Sequence, residues 1–447
     1  MSVLTAKRTV LGLTYHESSL PAGNALLGTG CRIARSIGVT GSNDIGVLRE
    51  LAARYMEVAT ADRQGERRNL WRDHNSFIKT RPPIYVRGIP WNEIPELQRL
   101  ACEDPFLRRH EEWFRQMLYQ DTVGDDYILE PWVTVQATCV TPPGGLWGLA
   151  IRTIPSPEPG GAWKCDPPIK RLDDAAKLVR PHHVVDEEAT ARDVARLHEA
   201  IGDIVPIAVD RAPVYRTWNA DISTQLAYLR GLEQVMWDMV DHPQWLHEVL
   251  AFMRDGILAA QDEAEAAGDW RLCAHENQAM PYARELRDPS ADPTPVPRAK
   301  LWVFVAAQEL TLVSPRMHDE FMLQYQLPII EKFGLVAYGC CEDLTEKIGI
   351  LRQIPNLRRI AVAPRAEVRR CAEQIQQDYV ISWRPNPAEM VCCGFDREHI
   401  RAVVRDAMEA AQGCHVDITL KDIHTVQGQP ERLREWVQIV RSISDEY

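Results

Sequence analysis

The chain has 447 residues, 45% apolar and 26% charged, enough to bury the core of one barrel-sized domain or two ordinary ones. Its net charge of −12 argues against nucleic acid or an anionic membrane as partner, because both select clustered Lys and Arg. No apolar run approaches the ~18–20 residues of a membrane span, and MSVLTAKRTVLGLTYH lacks the apolar stretch of a signal peptide.

Taken in order, LLGTGCRIARSIG holds a G-x-G with no strand before it and no third glycine, a weak dinucleotide fingerprint. SNDIGVLRELAARYMEVATADRQGERRNLWRDHN has apolar residues at helical spacing, with Ser42 or Asn43 as cap. YILEPWVTVQATCV reads as a buried strand. The following TPPGGLWGLAIRTIPSPEPGGAWKCDPPIK reads as a long ordered loop or lid, too rich in Pro and Gly for a regular element. DEEATARDVARLHEAIG predicts a helix and IVPIAVD a strand. A long helical region breaks near Pro243, and RLCAHEN predicts another strand. WVFVAAQEL, LVAYGC, LRRIAVA, DYVISW and HVDITLKDI read as further strands. Between them lie the helices SPRMHDEFMLQYQLPIIEKFG, DLTEKIGILRQI and DREHIRAVVRDAMEAAQG, and PERLREWVQIVRSI closes the chain. The third of these helices has Asp396 at its start and Gly413 at its end.

This alternation predicts an α/β fold, a (β/α)8 TIM barrel with parallel strands, long Pro/Gly-rich loops and an N-terminal helical extension. The extension is expected over residues 1–90 and the barrel over 91–447. Such barrels carry their chemistry at the C-terminal ends of the strands. The polar residues expected there are Asp210, His275, Glu276, Asn277, Gln308, Glu309, the run Tyr338-Gly339-Cys340-Cys341-Glu342, and Asp422 with His424. Strand alternation sends Tyr338, Cys340 and Glu342 one way, and continues Val416, Ile418 and Leu420 inward to Asp422 and His424. Thiolate, imidazole and carboxylate together suit a catalytic zinc with one open position. At each residue taken singly the plain alternative is packing or a surface ion pair, such as Asp422 with Lys421 or Arg432. Cys392 and Cys393 are expected as packing, and the tryptophans mostly as core or lid, with an aromatic pocket lined by Trp132 and Trp163 as the alternative. The eleven cysteines show no secreted-scaffold spacing, which suits a reducing cytoplasm.

YGCCEDLTEKIGILRQIPNLRRIAVAPRAEV, DYVISWRPNPAEMV and CHVDITLKDIHTVQGQPERLREW resemble the uroporphyrinogen decarboxylase-like superfamily. More closely, they are similar to its branch near the cobalamin-dependent methyltransferases, including the methyltransferase components of O-demethylase systems. The resemblance spans roughly residues 300–440 and recurs in RRNLWRDHNSFIKTRPPIY. It implies a (β/α)8 barrel and, from the methanol and methylamine branches, zinc held by an H-x-C motif and a cysteine at the last strand. Here Y-G-C stands at the H-x-C position, so Cys340 matches the cysteine and Tyr338 replaces the histidine. Asp422 or His424 falls near the second cysteine. The Arg-rich N-terminal signature of the decarboxylase is absent, which argues against porphyrinogen as substrate.

The expected activity is demethylation of a methoxylated, aromatic small molecule, with zinc as Lewis acid and the methyl group passed to a corrinoid protein. Cys340, Cys341, Glu342 and Asp422 are the expected metal ligands, and His424, Tyr338 and Glu276 the expected catalytic residues. Arg384, Asp210, Glu309 and Trp132 are expected to bind substrate. Cobalamin is expected on a separate chain, since no D-x-H-x-x-G is present, and a homodimer is admitted but not required. Two alternatives stand beside this reading: a metal-free lyase using Asp210, Arg384 and His424, and a non-catalytic binding barrel.

Overall fold

A computed structural model describes residues 42–158, 161–273 and 279–447. Its strands are β1 (Ile84–Val86), β2 (Val133–Gln136), β3 (Arg152–Ile154), β4 (Lys164–Asp166), β5 (Ile207–Asp210), β6 (Trp302–Val305), β7 (Leu335–Tyr338), β8 (Leu357–Val362), β9 (Val380–Trp383) and β10 (His415–Leu420). Six form one parallel half-barrel sheet in the order β1-β10-β9-β8-β7-β6. Its strands are short, rich in Val, Ile and Leu and buried on both faces, as parallel strands covered by helices must be. β2 pairs with β5 in a separate parallel ladder, and β3 with β4 in an antiparallel hairpin.

The expected eight-stranded barrel is therefore seen only in part. Among the described residues no ladder joins β1 to β2 or β5 to β6. At β1 the physical reason is visible. Ile84 N and Val86 N donate to Asp126 Oδ2 and Asp125 Oδ2, each at 2.8 Å, and Asp126 N donates to Ile84 O at 2.7 Å. Two aspartates thus take the edge a neighbouring strand would have used.

β1 itself lies inside the stretch expected as an N-terminal extension, yet it is a strand of the main sheet beside β10. The helix Asp62–Asn75 is fastened to that sheet by buried polar groups. Arg359 Nη1 donates to Asn75 Oδ1 at 2.9 Å, and His74 Nε2 lies 3.4 Å from Asp417 Oδ2. On β10, Val416, Ile418 and Leu420 join the apolar core, while Asp417 and Thr419 take the opposite, polar side. The earlier helix Ser42–Ala59 packs instead on Pro105–Val123 and Glu187–Ile201, sharing a smaller core.

Most predicted helices form. Asp186 and Asp396 cap Glu187–Ile201 and Arg397–Ala410 by accepting from first-turn N–H groups. The long helical region breaks before Pro243 as expected and again at Gly231, giving Ile222–Arg230, Leu232–Asp241 and Pro243–Ala266. Three expectations change. The Pro/Gly-rich loop contains the hairpin β3–β4. DLTEKIGILRQI is helical only over Ile348–Leu351, because Asp343 Oδ1 accepts from Thr345 N and Oγ1 in a local turn that competes with helix. RLCAHEN forms no strand over residues 271–273, and 274–278 lie outside the described residues, as does LLGTGCRIARSIG. No helix among the described residues is long and apolar enough to cross a membrane.

Candidate active site at the strand ends

β7 runs into Gly339-Cys340-Cys341-Glu342, and Gly339 breaks the alternation expected there. Its φ is +96°, and a Cβ would meet Leu344 Cδ1 at 2.6 Å and Ala361 Cβ at 3.0 Å, so only glycine fits. Tyr338, Cys340 and Glu342 consequently go to different surroundings. The Tyr338 hydroxyl donates to Gln326 Oε1 at 2.9 Å and lies 2.8 Å from His318 Nε2, both on the helical segment after β6. Because the tyrosine proton is spent on Gln326, His318 must donate through Nε2. Burial, with the nearby Lys347 charge, pushes the His318 imidazole down to about 3, so it stays neutral. Cys340 packs against Phe304 and Ala306. Glu342 is wholly buried, and its oxygens accept from Ala307 N at 2.9 Å and Cys340 N at 2.7 Å, tying the ends of β6 and β7 together.

The end of β10 also leaves its predicted course. Asp422 has φ +57°, and Gly88, which follows β1, lies so close that a Cβ would sit 3.0 Å from Asp422 N. Val416, Ile418 and Leu420 share their core with Leu433, Trp436 and Val437 of the closing helix, so this series faces the helical layer and not the interior expected for it, and it ends at Leu420. Lys421 is buried, the Asp422 side chain is half exposed, and His424 is exposed, away from the interior position expected for it. Lys421 Nζ donates to Cys340 Sγ at 3.2 Å and Cys341 Sγ at 3.1 Å, and lies 3.0 Å from Asp422 Oδ2. The sulfurs are 3.5 Å apart, and Cys341 Sγ is 3.8 Å from Asp422 Oδ2. Burial works against the Lys421 ammonium, but the Cys340 and Cys341 sulfurs outweigh it and hold the amine above its usual range. Burial likewise opposes the Asp422 carboxylate, and the Lys421 charge keeps it below the usual carboxylate range. From β9, Arg384 reaches the same turn and donates to the carbonyls of Cys340 and Gly339.

A second polar group lies at the ends of β5 and β6. Ser223 Oγ is 2.8 Å from Asp221 Oδ1 and 2.6 Å from Glu309 Oε2, and Thr224 Oγ1 is 2.9 Å from Glu309 Oε1. Burial raises both carboxyl groups, Asp221 further through the charges of Glu309 and Glu342. Asp210, at the end of β5, is held by Arg216 and by Gln136 Nε2 at 3.0 Å. Trp132 is buried against Ala208, and its Nε1 donates to Cys273 O at 2.7 Å, which makes it packing rather than a wall of this site. Trp163 is partly exposed, stacked on Tyr228. Cys392 donates to Thr425 O, but Cys393 is exposed and not the packing residue expected. Glu276, His275 and Asn277 lie outside the described residues.

Of the expected site residues, Cys340, Cys341 and Asp422 come together, with Arg384 beside them. Lys421, Asp221 and Ser223 were missed as site residues. Lys421 was visible in sequence only as a surface partner for Asp422, because nothing local to T-L-K-D shows where its stem will go. The residues do not fit a zinc centre as arranged. Glu342 is consumed by backbone N–H groups, an ammonium stands between the two sulfurs, and no three His, Cys, Asp or Glu side chains among the described residues are disposed to hold a metal.

No family model matches this sequence, and no curated protein matches it. Among solved structures, a methyltransferase from Methanosarcina mazei is similar over 85% of this chain and 97% of that chain, with a TM-score of 0.47 and 13% identity.

Proposed function

We propose that the chain is a methyltransferase acting at this cluster, which demethylates a methoxylated aromatic compound. The observation that carries the reading is the meeting of Cys340, at the position matched by the resemblance, with Lys421 and Asp422 from the last strand. The methyl acceptor implied by the resemblance is a corrinoid on a separate protein, which supplies a strong cobalt nucleophile. The remaining work falls to this chain. The methyl carbon–oxygen bond breaks, its electron pair stays on oxygen, and the leaving phenoxide takes a proton from water.

Lys421 suits the developing charge. An ammonium held protonated by two sulfurs and a carboxylate stabilises an oxyanion by hydrogen bonding without surrendering its proton. Substrate oxygen reaches it by displacing the Cys341 thiol or the half-exposed Asp422 carboxylate, the more accessible of its partners. Arg384 and Glu342 are positioning residues, since each acts on the backbone of the thiol turn. No step is assigned to zinc.

The test is incubation with free cob(I)alamin and a panel of methoxyarenes and methoxybenzoates, following methylcobalamin spectroscopically and the phenol by chromatography. Protein-dependent formation of both, reduced on the order of 10²–10³-fold in Lys421→Met, supports the reading. No methylcobalamin with any member of the panel overturns it.

A further inference from the structure

Val303 and Val305 of β6 join the large core, so Phe304 and Ala306 face the other side of the sheet, where they form a small apolar cluster with Cys340. Trp218 packs onto this cluster from the short helix Thr217–Asn219 that follows β5. Its indole is half-buried and meets the Phe304 ring edge-to-face, with 5.1 Å between centroids and 66° between planes. Such a contact leaves at least one indole face unstacked, and among the described residues no second ring covers it. The Nε1 proton is likewise given to no described residue. By contrast Trp132, Trp270 and Trp302, which serve as packing, donate theirs to backbone carbonyls.

The backbone that carries the indole is strained. Thr217 has φ +44°, a left-handed conformation that a β-branched residue rarely takes. Outliers of this kind persist where their surroundings over-determine them, and they gather at binding and catalytic sites. Here the segment is pinned on both sides. Arg216 is held by Asp210 and donates to Gln136 Oε1 at 3.1 Å, and Asp221 caps the next helix by accepting from Ser223 N. We infer that Trp218 is the platform on which the aromatic ring of the substrate stacks, with its methoxy group set toward Lys421 and the thiols. Phe304 and Ala306 supply the apolar wall beside it, and the free Nε1 proton is a donor for an oxygen substituent on the ring. The inference takes the methoxy group from the proposed function; the stacking itself does not depend on methyl transfer.

The experiment places 5-fluorotryptophan in the full chain and follows the fluorine resonances as anisole, 2-methoxyphenol or 4-methoxybenzoate is added, with methoxycyclohexane as the non-aromatic control. Trp218→Phe identifies the Trp218 signal by its loss. The expected result is a saturable ring-current shift of that signal with the methoxyarenes and none with methoxycyclohexane. By calorimetry, Trp218→Ala should bind the same arenes about tenfold more weakly, and Trp218→Phe, which keeps an aromatic face, should retain most of the affinity. Circular dichroism reports folding, and Trp218→Leu, which keeps apolar bulk, serves if the alanine variant is unfolded. No saturable shift with any of the three arenes overturns the inference, as does a folded Trp218→Ala or Trp218→Leu that binds them as tightly as wild type. A saturable shift in a protein that forms no methylcobalamin sustains the platform and removes the methyl-transfer reading. Methyl transfer undiminished in Trp218→Ala does the reverse.

Discussion

Arg359 Nη2 lies 2.8 Å from Asp417 Oδ2, joining β8 to β10 across the intervening β9 by an ion pair with both side chains buried. Ser382 Oγ adds a hydrogen bond to Asp417 Oδ1 at 3.0 Å, and Arg359 also holds Asn75. Burial alone would raise the Asp417 carboxyl, but the Arg359 charge keeps it below the usual range. Breaking one partner leaves the other charged and unpaired in the interior. Arg359→Met should therefore cost about 3–5 kcal/mol, read as a fall in the denaturation midpoint. A change under about 1 kcal/mol would refute this account of how the helix Asp62–Asn75 is held.

Gly339→Ala tests the thiol turn. The substitution puts a Cβ at a left-handed φ and into contact with Leu344 and Ala361. A loss of about 2 kcal/mol or more is expected from backbone and overpacking terms together. Because the turn carries Cys340 and Cys341, the alkylation rate of Cys341 by iodoacetamide should change with it. Unchanged stability and alkylation would mean that the turn does not depend on glycine.

His318 makes stability depend on pH. Its folded pKa, about 3, lies below the ordinary value of 6.5, so between these limits the unfolded chain binds a proton that the folded chain does not. Its contribution is complete above about pH 6.5 and falls by about 1.4 kcal/mol per pH unit as the pH drops toward 3. His318→Gln keeps a donor for Tyr338 and removes the titration. Denaturant melts of the two proteins at pH 7, 6 and 5 should therefore differ progressively, with the variant showing the shallower acid limb. Parallel limbs would show that folding does not shift the His318 titration.

The Ser223 hydroxyl has one proton but lies within hydrogen-bond distance of a carboxyl oxygen on both Asp221 and Glu309. At least one of those acids must therefore be the donor. An infrared carbonyl band from an un-ionised carboxyl should persist at pH 7, shift in D2O and disappear in Asp221→Asn or in Glu309→Gln, whichever removes the protonated acid. Absence of such a band in wild type would mean that both acids are ionised and the serine proton is not shared.

The candidate site was legible to the extent that it follows strand order. Apolar strands alternating with amphipathic helices pointed to parallel β structure, and the polar residues closing those strands were named as candidates. Cys340, Cys341, Asp422 and Arg384 do meet. The errors came from extending a strand's alternation beyond its last regular residue. Tyr338 faces the helical layer in phase with Val336, Cys340 leaves that side because Gly339 takes φ +96°, and His424 became exposed because Asp422 takes φ +57°.

Sequence by itself determined the α/β class, most helix positions, the Asp396 cap and the strand ends that carry polar groups, because these depend on local periodicity and on residues a few positions apart. Only the tertiary structure decided that β1 belongs to the sheet, that Asp125 and Asp126 cover its edge, and that Lys421 stands among the thiols. Those outcomes depend on which distant backbone and side-chain groups satisfy one another once water is gone. A buried charge finds its partners by three-dimensional packing, whatever its neighbours in sequence.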